Sequence, residues 1–383
     1  RTNAVAVQRY IDAGAIVFGK TNVPFMSADL QSFNEVYGVT NNPWNTARTC
    51  GGSSGGAGAA LAAGLTPLEL GSDIGGSIRT PSHFNGVFGH KPSYGIVSQR
   101  GHLPPGETIL SESDLSVVGP MGISVSDLEQ ALDILVGPNE EDAKAYRINL
   151  PPPRTTDPGK LRVAVWADDP TGPVDSDIQT AIHAAANALE AEGAQVDRSA
   201  RPDIDTEHNA QNYIHLLMAV LGGGMPKEVY ELMRDIAQNA DPEDVSIPVL
   251  QARGIASSHG DWLREGEKRE HIRQAWSRFF KDFDVLLCPC TNVTAFPHDH
   301  EPDMAKRTLQ VNGESRPYFE VLAWAGLTLN AFLPATAVPI ANSSEGLPIG
   351  VQVVADYLEY KTALAVARML EQHHRGFMPP PGY

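Results

Sequence analysis

The order of apolar and polar positions along the chain predicts alternating helices and strands. Apolar residues recur at helical spacing over 4–13, 126–135, 176–192 and 360–372, and residues 203–280 are mostly amphipathic. Short apolar runs typical of strands lie at 15–18, 161–166, 194–197, 285–287 and 349–354. Strands that alternate with helices favour a largely parallel sheet covered by helices. The pattern therefore predicts an α/β fold.

One segment departs from this regular alternation, because glycine and serine dominate both of its ends. It runs from Gly51 to Arg79 and contains two glycine-flanked serines, Ser53 and Ser77, twenty-four positions apart. The alanine-rich run between them predicts one helix, ended by Gly64, and then one short strand. Glycines allow positive φ angles and let a ligand approach the backbone closely. Two such turns at this spacing indicate one site that holds a nucleophile and a helper.

Each half of this segment has a simpler interpretation when it is taken alone. GGSSGG at 51–56 is compatible with a flexible linker, and GSDIGGSIR at 71–79 with a tight turn closed by an Asp–Arg pair. GGSSG also satisfies the G-x-S-x-G pattern of a nucleophile elbow. That elbow requires an apolar strand immediately before it, and residues 41–50 are loop-like. The combination of both halves favours a catalytic site built from two turns.

The motifs at 51–56, 71–79 and 81–95 resemble the signature of the amidase signature family of serine hydrolases. The flanking segments 14–26, 37–45, 119–128 and 346–355 resemble that family as well. The resemblance implies a single domain over 1–383, with a signature core at 51–95 and a variable, helical, substrate-side region at 200–280. It also implies a large twisted mixed β-sheet covered by helices on both faces.

The resemblance assigns a role to each residue of the two turns. Ser77 corresponds to the nucleophile, and Ser53 corresponds to a bridging serine that follows a cis peptide bond and passes the proton to the base. The oxyanion hole would be formed by the backbone N–H groups of Ile74, Gly75, Gly76 and Ser77. The residues expected to support this structure are Gly52, Ser54, Asp73 and Arg79.

The base of this family is a neutral lysine that lies about seventy-five residues before the bridging serine. Counting back from Ser53 passes the first residue, Arg1, so we expect the lysine to precede this sequence, within roughly ninety to one hundred further residues. Lys20 and Lys91 are the nearby alternatives. Lys20 resembles a strand-end residue and Lys91 a structural lysine, so neither is expected to act as the base. An inactive homologue without the lysine is the alternative.

Composition narrows the class of protein and its partners. The 383 residues are 42% hydrophobic and 20% charged, with a net charge of −17, which argues against nucleic acid and anionic membranes as partners. No apolar run approaches the ~18 residues of a membrane span. Three cysteines are too few for a disulfide framework and favour a reducing, cytoplasmic location. A monomer or homodimer that needs no cofactor is expected.

Other chemically suggestive residues receive simpler interpretations. The histidines of the HDHE run at 298–301 are expected on a solvated loop, so no metal site is predicted. Cys288 and Cys290 are expected to be buried thiols at a strand end. Three residues are candidates for substrate contacts: Met26, Cys50 and Phe332. Cys50 stands where the family commonly has proline, and Phe332 where it usually has glycine. The segments around Tyr213 and Trp262 are candidate pocket walls, although a core role is favoured.

These observations predict an amidohydrolase that cleaves a C–N acyl bond through a Ser77 acyl-enzyme. Its substrate would be a small amide, anilide or carbamate, with ester hydrolysis as a side activity. Within the family, the chain is most similar to aryl-acylamidases, cyclic-oligoamide hydrolases and urethanases. The alternatives are the amidase subunit of a tRNA-dependent amidotransferase and a catalytically inactive binding protein.

Overall fold

The computed structural model describes residues 3–102 and 110–383. Within these ranges the chain forms eleven α-helices, joined by strands and short 3₁₀ turns. The helices are α1 Val5–Asp12, α2 Gly55–Ala62, α3 Arg79–Asn85, α4 Val125–Leu135, α5 Ser176–Ala191, α6 Thr206–Gly222, α7 Lys227–Asn239, α8 Ile247–Ile255, α9 His259–Phe279, α10 Ala323–Leu329 and α11 Tyr360–His373.

The strands fall into one large sheet and three small ribbons. Six strands form the ribbons: β1 Phe33–Asn34, β2 Gly38–Val39, β3 Asn41–Asn42, β4 Asn45–Thr49, β11 Thr308–Val311 and β12 Glu314–Pro317. Eight strands form the large sheet: β5 Leu68–Asp73, β6 Phe88–Lys91, β7 Val117–Gly122, β8 Arg162–Val165, β9 Gln195–Asp197, β10 Val285–Pro289, β13 Ala335–Asn342 and β14 Pro348–Val354.

The large sheet has the order β5-β7-β6-β13-β14-β10-β8-β9 and is mixed. Its β10–β8 and β8–β9 ladders are parallel, whereas the other five are antiparallel. The expectation of a largely parallel sheet was therefore wrong. It holds for the β8–α5–β9 unit, but β13 and β14 are joined by a short turn at 343–347, and such a turn can only connect antiparallel strands.

Helices cover both faces of this sheet. Val118 and Met121 lie three positions apart on β7 and therefore point to opposite faces. Val118 belongs to an apolar cluster with residues of α4, α5 and α11, whereas Met121 packs with residues of α2 and with Ile78, which precedes α3. Both layers bury apolar area, which is the main favourable contribution to folding. The mixed sheet with helices on both faces confirms the expected fold class.

Most of the predicted elements are present, often with bounds that differ by one or two residues. The helix predicted over 176–192 is α5, with Asp175 accepting the N–H of Asp177 as its cap and Gly193 at φ 102° after its end. The region 203–280 contains α6 to α9. No helix in the described ranges combines the length and the apolar character that a membrane crossing requires.

The strand predicted over 15–18 is absent. The apolar side chains that motivated it, Ile16, Val17 and Phe18, are 88%, 53% and 74% exposed, and no described residue pairs with the segment. An apolar run becomes a strand only when a neighbouring strand satisfies its backbone N–H and C=O groups. The sequence pattern at 15–18 indicates a strand, but no described strand lies beside this segment to form the hydrogen bonds of a ladder.

Candidate active site

The two glycine-rich turns meet on one face of the large sheet. The first turn leads into α2, and the second connects the end of β5 to α3. Helices α2 and α3 pack against each other, and the N–H of Ser54 donates to the carbonyl oxygen of Ser77 at 3.1 Å. Ser53 and Ser77 are 3% and 7% exposed, and among the described residues neither hydroxyl has a hydrogen-bond partner. The structure thus brings the two predicted serines into one site.

The turn that carries Ser53 is held very tightly. The peptide bond between Gly52 and Ser53 is cis, as the resemblance implied. A Cβ atom at Gly52 would lie 2.6 Å from the carbonyl oxygen of Asp29, so only glycine fits there. The hydroxyl of Ser32 lies 3.0 Å from the carbonyl oxygen of Gly51 and 3.2 Å from that of Ser53, and it can donate to one of them at a time.

Ser32 was not identified from the sequence, although its hydroxyl contacts backbone groups before and after Ser53 in this turn. Besides facing the two carbonyl groups, its hydroxyl accepts the N–H of Gly55 at 3.1 Å, where α2 begins. Ser54 makes a similar connection to β5, because its hydroxyl accepts the N–H of Ser72 at 3.3 Å. Residue 32 lies in a stretch without glycine, so no local pattern marks it as part of the site.

A fully buried ion pair supports the second turn. Arg79 donates Nε and Nη2 to the two carboxylate oxygens of Asp73 at 3.0 and 2.9 Å, and both side chains are inaccessible to solvent. Burial is the largest single effect and opposes ionisation of Asp73, but the charge and hydrogen bonds of Arg79, the charge of Lys91 and the Gly76 N–H together outweigh it, so the pKa of Asp73 is lowered. Nη1 of Arg79 donates to Thr328 at 2.7 Å and to Gln352 at 2.9 Å. The pair is therefore satisfied by hydrogen bonds as well as by charge.

The four N–H groups predicted for the oxyanion hole differ in availability. The N–H of Gly76 donates to the carboxylate of Asp73 at 2.8 Å and is already engaged. The N–H groups of Ile74, Gly75 and Ser77 donate to no atom of the described residues. Three of the four groups are thus open to a ligand. Gly76 contributes its backbone shape instead, with φ at 94° and Thr80 Oγ1 2.9 Å from where a Cβ would stand.

Tyr213 connects the helical region to this turn. Its hydroxyl donates to the carbonyl oxygen of Ile74 at 2.8 Å, and its side chain is buried in an apolar cluster with Leu329 and Phe332. The sequence indicated a pocket wall or a core residue at this position. The structure places it in the core, in direct contact with the candidate site.

The two lysines considered as bases occupy different environments. Lys20 is exposed. Lys91 is buried on β6, and its ammonium group donates to the carbonyl oxygen of Pro92 at 3.1 Å. Burial, and then the charge of Arg79, lower the pKa of Lys91 to about 7. Lys91 thus lies in the interior, where the charges of both Arg79 and Asp73 act on its pKa.

The three candidate substrate residues lie in dissimilar places. Met26 is 47% exposed in a short 3₁₀ turn. Cys50 is fully buried, and burial raises the pKa of its thiol to about 12. Phe332 is 8% exposed, stacked on Tyr94 with ring centroids 4.5 Å apart and covered by the guanidinium of Arg269 at 4.5 Å. The thiol of Cys50 lies 3.6 Å from the carbonyl oxygen of Gly51, at the start of the Ser53 turn, and Phe332 shares an apolar cluster with Ile74.

The side chains considered for metal binding form no such cluster. In the part of the chain that the structure describes, no three His, Cys, Asp or Glu side chains are grouped as metal ligands. His298 and His300 face each other with ring centroids 5.6 Å apart on a loop, without a third ligand. Cys288 and Cys290 are free and buried at the end of β10, as the sequence predicted.

Comparisons with known proteins agree with this geometry. The profile of the Amidase family matches residues 1–364. Fatty-acid amide hydrolase 2-A of Danio rerio is 33% identical over 388 residues, which cover 96% of this chain and 68% of that protein. A glutamyl-tRNA(Gln) amidotransferase subunit of Thermosynechococcus vestitus is 30% identical over 378 residues, which cover 94% of this chain and 75% of that protein.

A solved structure extends the similarity to the whole described fold. The complex of 6-aminohexanoate cyclic dimer hydrolase with its substrate superposes with a TM-score of 0.75 and 28% identity, over 97% of this chain and 78% of that one. The profile match, the relatives and the two joined serine turns lead to the same conclusion. The chain belongs to the amidase signature family.

Proposed function

We propose that the protein hydrolyses the C–N acyl bond of a small amide or carbamate through an acyl-enzyme on Ser77. The observation that carries the proposal is the junction of the two turns. A backbone hydrogen bond joins Ser54, the residue after Ser53, to Ser77, and the hydroxyls of Ser53 and Ser77 have no hydrogen-bond partner among the described residues. The N–H groups of Ile74, Gly75 and Ser77 also have no acceptor there. A nucleophile, a proton carrier and donors for an oxyanion are the groups that acyl transfer requires.

In this mechanism, the Ser77 oxygen attacks the carbonyl carbon of the substrate while its proton passes to the Ser53 oxygen. The Ser53 proton passes at the same time to the base. The carbonyl oxygen becomes an anion that accepts hydrogen bonds from the open N–H groups. When this intermediate collapses, the C–N bond breaks, and the leaving nitrogen takes a proton returned through Ser53. Water then attacks the acyl group, releases the acid and restores Ser77.

The base in this proposal is the lysine that the resemblance places before Arg1. The two lysines considered as alternatives do not suit the role, since Lys20 is exposed and the Lys91 ammonium is directed at the Pro92 carbonyl. A lysine-to-alanine variant in the natural full-length protein is expected to lose at least the hundredfold typical of a general base.

The nucleophile is tested by labelling the full-length protein with a fluorophosphonate. Rapid labelling that is lost in Ser77→Ala supports the assignment. Ser98→Ala is the matched control, because Ser98 is also buried and hydrogen-bonds to Asn139, outside the site. Labelling that persists in Ser77→Ala contradicts the nucleophile, and an unlabelled wild-type protein favours the inactive homologue.

The substrate class is tested with a matched panel of an alkyl amide, an anilide, a carbamate and an ester that share one acyl group. Hydrolysis of the amide, anilide or carbamate by wild-type protein, and not by Ser77→Ala, supports the proposal. Glutamine hydrolysis that requires a co-purifying partner protein supports the amidotransferase alternative. A protein that hydrolyses the ester alone contradicts C–N cleavage.

A further inference from the structure

We propose that Tyr213 is a positioning residue that orients the oxyanion loop. It would act through the peptide group between Ile74 and Gly75, without touching the reacting atoms. The inference rests on the proposed function, because it assigns this effect to the same site. Its starting point is the hydrogen bond from the Tyr213 hydroxyl to the carbonyl oxygen of Ile74, 2.8 Å long and spanning 139 positions of sequence.

The direction of this hydrogen bond determines where the next N–H points. A peptide group is planar and trans, so its C=O and N–H point in opposite directions. When Tyr213 fixes the carbonyl oxygen of Ile74, it also fixes the direction of the Gly75 N–H. That N–H is one of the three with no acceptor among the described residues. Tyr213 thus orients the Gly75 N–H by holding the opposite edge of the same peptide group, the Ile74 carbonyl.

The two peptide groups that follow are fixed by local contacts. The Gly75–Gly76 peptide is held by Asp73, which accepts the Gly76 N–H at 2.8 Å. The Gly76–Ser77 peptide is held at its carbonyl oxygen by the N–H of Thr80 at 2.7 Å. Both local partners lie within a few residues of the turn. The first peptide differs, because its partner comes from α6, in the distant helical region at 200–280.

Tyr213 is itself held firmly enough to serve this role. Its ring packs closely against Gly326 of α10, where an added Cβ would come within 2.4 Å of a ring carbon. Helix α6 is tied to the end of α10 because the Asn330 side-chain amide donates to Asn209 at 3.1 Å and to Asn212 at 2.9 Å. The orientation of the phenol is therefore set by packing and by hydrogen bonds on both sides.

The protonation state of Tyr213 suits a donor. Burial raises the pKa of Tyr213 above its ordinary value of 10, and Asp73 contributes in the same direction. The hydroxyl therefore keeps its proton throughout the range in which an amidase operates. The direct hydrogen-bonding partner of the hydroxyl is a neutral carbonyl oxygen, which accepts the proton without competing for it.

The test is Tyr213→Phe in the natural full-length protein, with kcat and KM measured on a hydrolysed amide. Loss of a direct oxyanion donor typically lowers kcat 10²–10³-fold, so an indirect effect of roughly ten- to fiftyfold is expected. KM should change less than twofold, because the affected contacts form in the transition state. Tyr360→Phe is the matched control, since Tyr360 is equally buried and donates to Asp133 outside the site.

A second readout separates positioning from a general structural effect. The Ser77 oxygen adds to the carbonyl carbon of a trifluoromethyl ketone and gives an oxyanion. In Tyr213→Phe, the inhibition constant of such a ketone should therefore rise by the same factor as kcat/KM falls. A structural role predicts instead a parallel loss of active sites, counted by fluorophosphonate titration. If Tyr213→Phe matches Tyr360→Phe in kcat within twofold, or loses active sites in proportion to kcat, the inference is overturned.

Two further outcomes remain distinguishable. If the wild-type protein neither labels at Ser77 nor hydrolyses an amide, the proposed function fails, whatever Tyr213 does. If Tyr213→Phe does not fold, Gly326→Ala supplies the second test, because its Cβ must displace the tyrosine ring. A kcat loss with unchanged KM in that variant supports the inference, and an unchanged kcat overturns it.

Discussion

The backbone N–H of Ser54 donates to the carbonyl oxygen of Ser77 across 3.1 Å, and this bond joins the two serine turns directly. It connects the residue after the candidate proton carrier with the candidate nucleophile itself. Because both partners are backbone groups, the connection depends on the shape of the two turns and not on any side chain. Substitutions that distort either turn are therefore expected to affect both serines together.

Gly52→Ala is expected to disrupt the Ser53 turn. The added Cβ would stand 2.6 Å from the carbonyl oxygen of Asp29 and 2.7 Å from the backbone nitrogen of Gln31, which cannot move as a side chain does. We expect fluorophosphonate labelling of Ser77 to fall at least tenfold, together with a stability loss of about 1–3 kcal/mol. Denaturant unfolding and labelling rates measure the two effects.

Gly64→Ala is the control for Gly52→Ala. Gly64 has a φ of 67°, but nothing lies within 4 Å of an added Cβ. The substitution therefore adds only backbone strain, about 1–2 kcal/mol, and should leave labelling unchanged. Equal labelling losses in the two variants would contradict the role assigned to the Ser53 turn.

Arg79→Met is expected to destabilise the protein by about 3–5 kcal/mol, because it leaves the Asp73 carboxylate buried and uncompensated. The exposed pair of Lys227 and Glu231 provides the control, with side chains 81% and 46% accessible. Lys227→Met should change stability by no more than about 1 kcal/mol. Urea unfolding of both variants at pH 7 checks the difference, and similar losses in both would refute the importance of burial.

Lys91 should make stability depend on pH in the alkaline range. Its pKa is about 7 in the folded protein and 10.5 ordinarily, so between these values the unfolded chain binds the additional proton. Stability should therefore rise with pH from about 7 towards 10.5 as this imbalance is removed. In Lys91→Met the rise should be smaller. Urea midpoints at pH 7.5 and 9.5 measure it, and an equal slope in both proteins would contradict the buried, neutral lysine.

His83 should make stability depend on pH in the acidic range. It lies in α3, accepts the Gly350 N–H at 2.8 Å, and burial lowers its pKa from 6.5 to about 4. Between pH 6.5 and 4 the unfolded chain protonates first, so stability should fall as the pH is lowered through this window. His83→Gln should flatten this part of the curve. His90, with a pKa lowered to about 3 by burial and by Lys91, contributes in the same window and below it.

The two serine turns were predictable because the residues that shape each turn are neighbours in sequence. Gly51 and Gly76 adopt positive φ angles that favour glycine, and the serines that follow such glycines stand out in the sequence. The positions of Ser32 and Tyr213 were not predictable, since each reaches the site from a remote segment through one hydroxyl group. The order of strands in the sheet could not be predicted from the sequence either, because the hydrophobic pattern indicates where strands lie but not which strands pair.

Phe332 adopts a backbone conformation that usually favours glycine. The resemblance implies glycine at this position, and here its φ is 61°, a region that disfavours side chains with a Cβ. The ring of Phe332 packs between Tyr94 and the guanidinium groups of Arg269 and Arg273. Whether Phe332 narrows the substrate pocket remains a prediction, which kcat/KM of Phe332→Gly on amides of increasing size tests.

The contacts of Arg79 with Thr328 and Gln352 make the candidate site depend on residues that are synthesised much later than the Ser77 turn. The residues of the Ser77 turn leave the ribosome before those of β14, and the side chain of Arg79 finds one of its hydrogen-bonding partners, Gln352, some 270 positions later. Until β14 has been synthesised and docked, the arginine lacks those partners and the turn is incompletely supported. Activity is therefore expected to appear only after β14 has docked against the turn.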